Sequence, residues 1–149
     1  MKIQWMASLC LALVAFTAEA GSSRPFELKG SIEYASTANQ HLLVYSSNEV
    51  SSGPNIYGRA LGSEGAPLGR DFRLSTQTGE MSKPDLAYGS KRERFLAVWG
   101  RKLYDEDRAE IIGRPVGPSG AILGGEFRIS FSTLYETRPS IAYCPGRDR

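Results

Sequence analysis

Between Ser31 and Tyr143 the apolar residues fall in short bursts separated by glycine, proline, serine or charged clusters, and no burst keeps helical spacing. "HLLVY", beginning at His41, and "FLAVW", beginning at Phe95, are apolar on both sides of an extended chain: Leu42 and Val44 point one way, Leu43 and Tyr45 the other. A strand of that kind has to be covered on both faces. Around them the pattern predicts further strands, in the second half of the chain at about Asp85–Tyr88, Arg94–Trp99, Glu110–Val116 and Glu126–Ser130. Each is rich in β-branched or aromatic residues and bounded by turn formers.

The pattern occurs twice. "IYGRALGSEGAPLGRDFRLS", beginning at Ile56, returns as "IIGRPVGPSGAILGGEFRIS", beginning at Ile111. The positions kept are turn glycines (Gly58/Gly113, Gly62/Gly117, Gly65/Gly120, Gly69/Gly124) together with Arg59/Arg114, Phe72/Phe127, Ser75/Ser130, Pro84/Pro139 and Tyr88/Tyr143. Upstream, "SIEY" matches "DLAY" and "HLLVY" matches "FLAVW" after one residue is dropped in the loop following Tyr45. Loops absorb such a change, whereas a slipped strand would turn every side chain to the opposite face. The units run over about 30–83 and 84–138, and a partial third, 139–149, begins with "PSIAY".

The motifs P-x-[IL]-A-Y, [FL]-L-x-V-[WY], I-x-G-R-x-[LV]-x-x-x-G-x-x-L-G and F-[RK]-[IL]-S resemble the β-propeller-type tandem repeats, roughly 55 residues long, of exported bacterial proteins. The resemblance covers nearly all of residues 30–143. It implies an all-β chain of antiparallel, four-stranded, blade-like units: a partial propeller of two blades plus one extra strand. Propellers usually have four to eight blades, so the chain is expected to be either a remnant or a share of a ring made by several chains. In the second case the orphan strand would complete the first unit of a neighbour.

The first residues change the address. Residues 1–20 carry Lys2, an apolar run from Met6 to Phe16, and Ala18-Glu19-Ala20 before Gly21, the order of a secretory signal cleaved near Ala20. Acylation at Cys10 is the weaker reading, because Leu9 stands where a small residue is wanted. The run is also too short to span a membrane. A domain of 21–149 is expected to be secreted or periplasmic, with Cys144 as its sole cysteine and no internal disulfide. Cys144 would then be free or pair between chains. The net charge of +2 is spread without blocks of one sign, which gives no footprint for nucleic acid.

Candidate chemistry is sparse. His41, the one histidine, matches Phe95 and reads as a packing position rather than a base. With no second histidine and no usable cysteine pair, a zinc site or a Ser-His-Asp triad is hard to assemble within one chain, and no cofactor is expected. Asp105 and Asp107, with Glu106 and Glu110, crowd one loop and are weak candidates for a hard cation, but the matching loop "NEVSSGPN" has only Glu49. A solvated hairpin tip is the favoured reading. Tyr57, Tyr45 and Trp99 could stack on a sugar ring, although Tyr45 and Trp99 read first as space fillers between units. Arg59 and Arg114 suggest a structural ion pair with Glu33 or Asp85, or a ligand-binding role. Paired acids for glycoside hydrolysis do not emerge, since the only repeated acidic position, Asp71/Glu126, sits beside a turn. The sialidase motif S-x-D-x-G-x-T-W is absent.

These features favour a non-enzymatic, exported scaffold that binds itself or another protein. An oligomeric propeller lectin binding glycan is the alternative, and a glycosidase-like propeller ranks last. Tyr57, Arg59, Trp99 and Arg114 are the tentative ligand-binding residues. Phe127, repeated from Phe72, is expected in the core.

Overall fold

A computed structural model describes residues 29–47, 54–77, 79–104, 108–131 and 137–147. They form an all-β chain of eight strands in two four-stranded antiparallel sheets. The first sheet holds β1 (Gly30–Ala35), β2 (Gln40–Ser47), β3 (Asn55–Gly62) and β4 (Phe72–Arg73), each paired with the next. The second repeats that order with β5 (Glu80–Gly89), β6 (Arg94–Lys102), β7 (Ala109–Val116) and β8 (Phe127–Arg128).

The registers carry the duplication into space. Tyr45 lies opposite Tyr57, and its counterpart Trp99 lies opposite Ile112; Gly58 meets Phe72, and Gly113 meets Phe127. The turns between third and fourth strands are closed alike. Gly62 N–H donates to the Ala66 carbonyl and Gly117 N–H to that of Ala121, both at 2.8 Å. Gly65 and Gly120, inside these turns, have φ of 83° and 87°, a conformation that costs glycine little.

Several boundaries differ from expectation, and β6 runs on to Lys102 past the expected Trp99. β5 begins at Glu80 rather than near Asp85, running through an irregularity between Ser82 and Asp85 where Lys83 has φ 51°. β8 is only Phe127–Arg128, and β4 is equally short. Beyond each, a serine side chain replaces the ladder: Ile56 N–H donates to Ser75 Oγ at 3.0 Å, and Ile111 N–H to Ser130 Oγ at 2.9 Å. Ser75 and Ser130 recur because they terminate the fourth strand.

The sheets pack face to face. From the first come Ala35, Leu42, Val44, Ile56 and Leu74; from the second Leu86, Tyr88, Phe95, Ala97, Trp99, Ile112 and Val116. All are buried in one cluster, so the alternate residues of "HLLVY" and "FLAVW" meet across the layer. Trp99 and Phe95 are the largest of its fully buried side chains. At roughly 1.5–3 kcal/mol for each large apolar side chain removed from water, this layer dominates the stability of the pair of sheets.

The partial third unit makes no strand. Residues 137–144 are irregular, followed by a short 3-10 turn at Pro145–Arg147. The segment lies against the second sheet of its own chain: Ile141 N–H donates to Asp85 Oδ2 at 3.0 Å, and the Tyr143 ring sits 3.6 Å from where a Cβ on Gly89 would be. Among the described residues, the segment where an extra strand is expected thus forms no ladder with any strand.

Candidate functional site

Packing two sheets of like strand order face to face uses one face of each and turns the other away from the contact, although Leu43, Tyr45 and Leu61 on that outer face of the first sheet are themselves buried. The contact seen inside the molecule therefore joins unlike faces. The open face of the first sheet is the counterpart of the buried face of the second, and the reverse also holds.

Polar groups clasp the buried contact. Arg114, on β7, sends Nη1 across to the Leu74 carbonyl at 2.6 Å while its Nε donates to the Gly124 carbonyl at 3.0 Å. Glu126 accepts a hydrogen bond from Thr76 N–H. Ser31 Oγ donates to Asp85 Oδ1 at 2.9 Å, and the Tyr88 hydroxyl bonds Thr37 Oγ1. Each of these bonds joins the first unit to the second, apart from the Gly124 contact. The Phe72 ring fills the space between two glycines; Cβ atoms built on Gly58 and Gly120 would come within 2.5 Å and 2.6 Å of it.

On the open face of the first sheet the corresponding residues turn to one another. Arg59, the counterpart of Arg114, pairs through both Nε and Nη2 with Asp71, the counterpart of Glu126. Neither expected partner, Glu33 or Asp85, is involved: Glu33 points to the opposite face of β1, and Asp85 is engaged by Ser31 and Ile141. The hydrogen bond to Asp71 raises the Arg59 pKa against the opposing effect of burial. Burial by itself would raise Asp71, but bonds from Arg59 and from the Tyr45 hydroxyl outweigh it and hold that carboxyl below its ordinary range. Tyr45 stacks on half-buried Tyr57 with ring centroids 6.0 Å apart, and Leu43 and Leu61 pack beneath them. At the near end Tyr34 and His41 meet at 5.0 Å, with His41 Nδ1 3.2 Å from the Gly62 carbonyl.

The open face of the second sheet is more apolar. Phe127 is 46% exposed rather than in the core, and Ile129 is 41% exposed. Phe72 is covered because the second sheet lies over it, whereas among the described residues no sheet lies over Phe127. A cavity of about 420 Å³ opens there between Leu96, Pro115 and Phe127 on the sheet and Ile141 and Tyr143 on the terminal segment, with Cys144, an exposed free thiol, at its margin.

The tentative ligand-binding residues are thus divided. Tyr57 and Arg59 share the open first face. Trp99 is fully buried and offers no ring face to a ligand, in keeping with its reading as a space filler. Arg114 is spent on the contact between the sheets. Asp105, Glu106 and Asp107 lie outside the described residues. Glu110, beside them in sequence, is buried and paired with Arg101 and Arg128. Among the described residues no group of three or more His, Cys, Asp or Glu could hold a metal ion, and no helix is long and apolar enough to cross a membrane. The signal that sequence reading missed was the joint repetition of Arg59/Arg114 with Asp71/Glu126, a cation and an acid kept together.

Compared with protein-family models, with curated proteins and with solved structures, the chain matches none.

Proposed function

We propose that this chain is an exported, non-enzymatic scaffold of β-propeller-type, blade-like repeats that works by docking other polypeptide against its open sheet faces. One observation carries the reading: both outer faces hold the residues that, one unit away, bind sheet to sheet. Tyr45, Tyr57, Arg59 and Asp71 stand where Trp99, Ile112, Arg114 and Glu126 engage the first sheet. Leu96 and Phe127 stand where Leu42 and Phe72 receive the second. An apolar surface of this composition beside polar anchors is the mark of an interaction site. Residues 1–20 read as its export signal.

The test is binding of an environment-sensitive apolar dye by the native mature chain. Strong fluorescence that is lost in Phe127→Glu, with the melting temperature retained, supports the scaffold. A native chain that leaves the dye dark overturns it.

A second reading rests on the Tyr45–Tyr57 stack beside Arg59 and Asp71, where a pyranose could lie on the half-buried Tyr57 ring and bond its hydroxyls to the ion pair. It predicts retention on a glycan array that Tyr57→Ala abolishes.

A further inference from the structure

We infer that the two open faces are halves of one interface and that a second copy of this chain docks head to tail, its first sheet on the second sheet of the copy before it. The inference rests on the scaffold reading and names the partner.

The internal contact supplies the geometry. Where Arg114 donates to the Leu74 carbonyl and Glu126 accepts from Thr76 N–H, the docked copy offers Arg59 and Asp71, and the receiving sheet offers the Ile129 carbonyl and Phe131 N–H at its open edge. Arg59 and Asp71 are already side by side, so docking exchanges one bond each rather than stripping unpaired charges of water.

The cavity on the receiving face has a matching plug. In the internal contact Phe95 packs against Tyr88 at 4.9 Å with an interplanar angle of 51°. In the docking copy His41 and Tyr34 hold the same relation at 5.0 Å and 43°. The space between Leu96, Pro115 and Phe127 lies on the counterpart of the face that covers Phe95 inside the molecule, and it receives His41 of the second copy.

The terminal segment already occupies part of this site. "SIAY" (Ser140–Tyr143) lies where "SIEY" (Ser31–Tyr34) of the incoming sheet must go. β1 is held by a ladder along all 6 of its residues, whereas residues 139–143 form no ladder. The segment is therefore the one that yields. It caps its own sheet as a tethered competitor, in contrast to the expectation that it would complete a neighbour's first unit.

The experiment is sedimentation velocity on the full mature chain over a concentration series, beside a full-length variant uncapped by Ile141→Asp and Tyr143→Asp. Uncapping is expected to strengthen self-association by about tenfold or more, the scale for losing a tethered competitor. In the uncapped background, Arg59→Ala and Phe127→Glu should each be monomeric alone yet pair one-to-one when mixed, because each retains the face the other lacks. An uncapped chain that stays monomeric throughout, or defective variants that do not complement, overturns the second copy as partner. A synthetic peptide of residues 137–149 separates the two readings. If it binds the uncapped chain while self-association is absent, the scaffold reading survives and the second copy fails; if neither occurs, both fail.

Discussion

Arg114 in the second sheet and Leu74 in the first are joined by a hydrogen bond of 2.6 Å from guanidinium to main-chain carbonyl. The same arginine one unit earlier, Arg59, pairs instead with Asp71 of its own sheet's return turn. One residue position thus serves as an anchor between sheets in the second unit and as half of an ion pair in the first.

The two arginines should differ in worth. Arg114→Ala removes bonds to two carbonyls in a half-buried site and should cost about 2 kcal/mol or more. Arg59→Ala removes an ion pair about 30% exposed on both sides and should cost less than about 1 kcal/mol. Urea unfolding of both variants checks the order, and equal losses would contradict it.

Phe72 and Phe127 should part in the same way. Phe72→Ala empties the slot between Gly58 and Gly120 and should cost about 3 kcal/mol. Phe127→Ala, at a position 46% exposed, should cost under about 1 kcal/mol. Thermal melts that ranked Phe127 above Phe72 would show that the second sheet is covered after all.

His41→Phe should leave stability within about 0.5 kcal/mol, since the ring is half-buried and its one bond, to the Gly62 carbonyl, is long at 3.2 Å. Under the head-to-tail arrangement the same change should tighten self-association, because phenylalanine fills the counterpart position inside the molecule. Weaker association with unchanged melting would count against His41 as the plug.

The Asp71 carboxyl is held below its ordinary range, so its contribution is fully present above the unfolded carboxylate value of about 4 and fades as pH falls through the lower, folded value. The stability gap between the native chain and Asp71→Asn should be constant from neutral pH down to about 4 and close below it. A gap independent of pH down to strong acid would mean that Asp71 gains nothing from Arg59 and Tyr45.

Much of the fold was legible because its signals are local. Doubly apolar "HLLVY" and "FLAVW" required two covered faces, and Gly65 and Gly120 marked the return turns. The repeat located equivalent residues but not their surroundings. The likeness to Phe72 predicts Phe127 in the core, yet Phe72 is covered by the second sheet while Phe127 lies on that sheet's outer face. The sequence points Arg59 toward an acid on the first strand, whereas Asp71, after the turn, is brought beside it by the short pairing of Tyr57–Gly58 with Phe72–Arg73. The ends of β4 and β8 were hidden for a similar reason, since a serine hydroxyl terminates the ladder without any break in the apolar pattern.

The central claim is that equivalent groups are engaged inside the molecule and open at its outer edge, and amide hydrogen exchange at Thr76 and Phe131 tests it most directly. Thr76 N–H donates to Glu126 across the sheets, while its counterpart Phe131 lies 79% exposed on the open edge. In dilute solution the Thr76 amide should exchange well slower than that of Phe131, and Glu126→Ala should abolish the difference. Equal exchange at the two amides in the native chain would contradict the account.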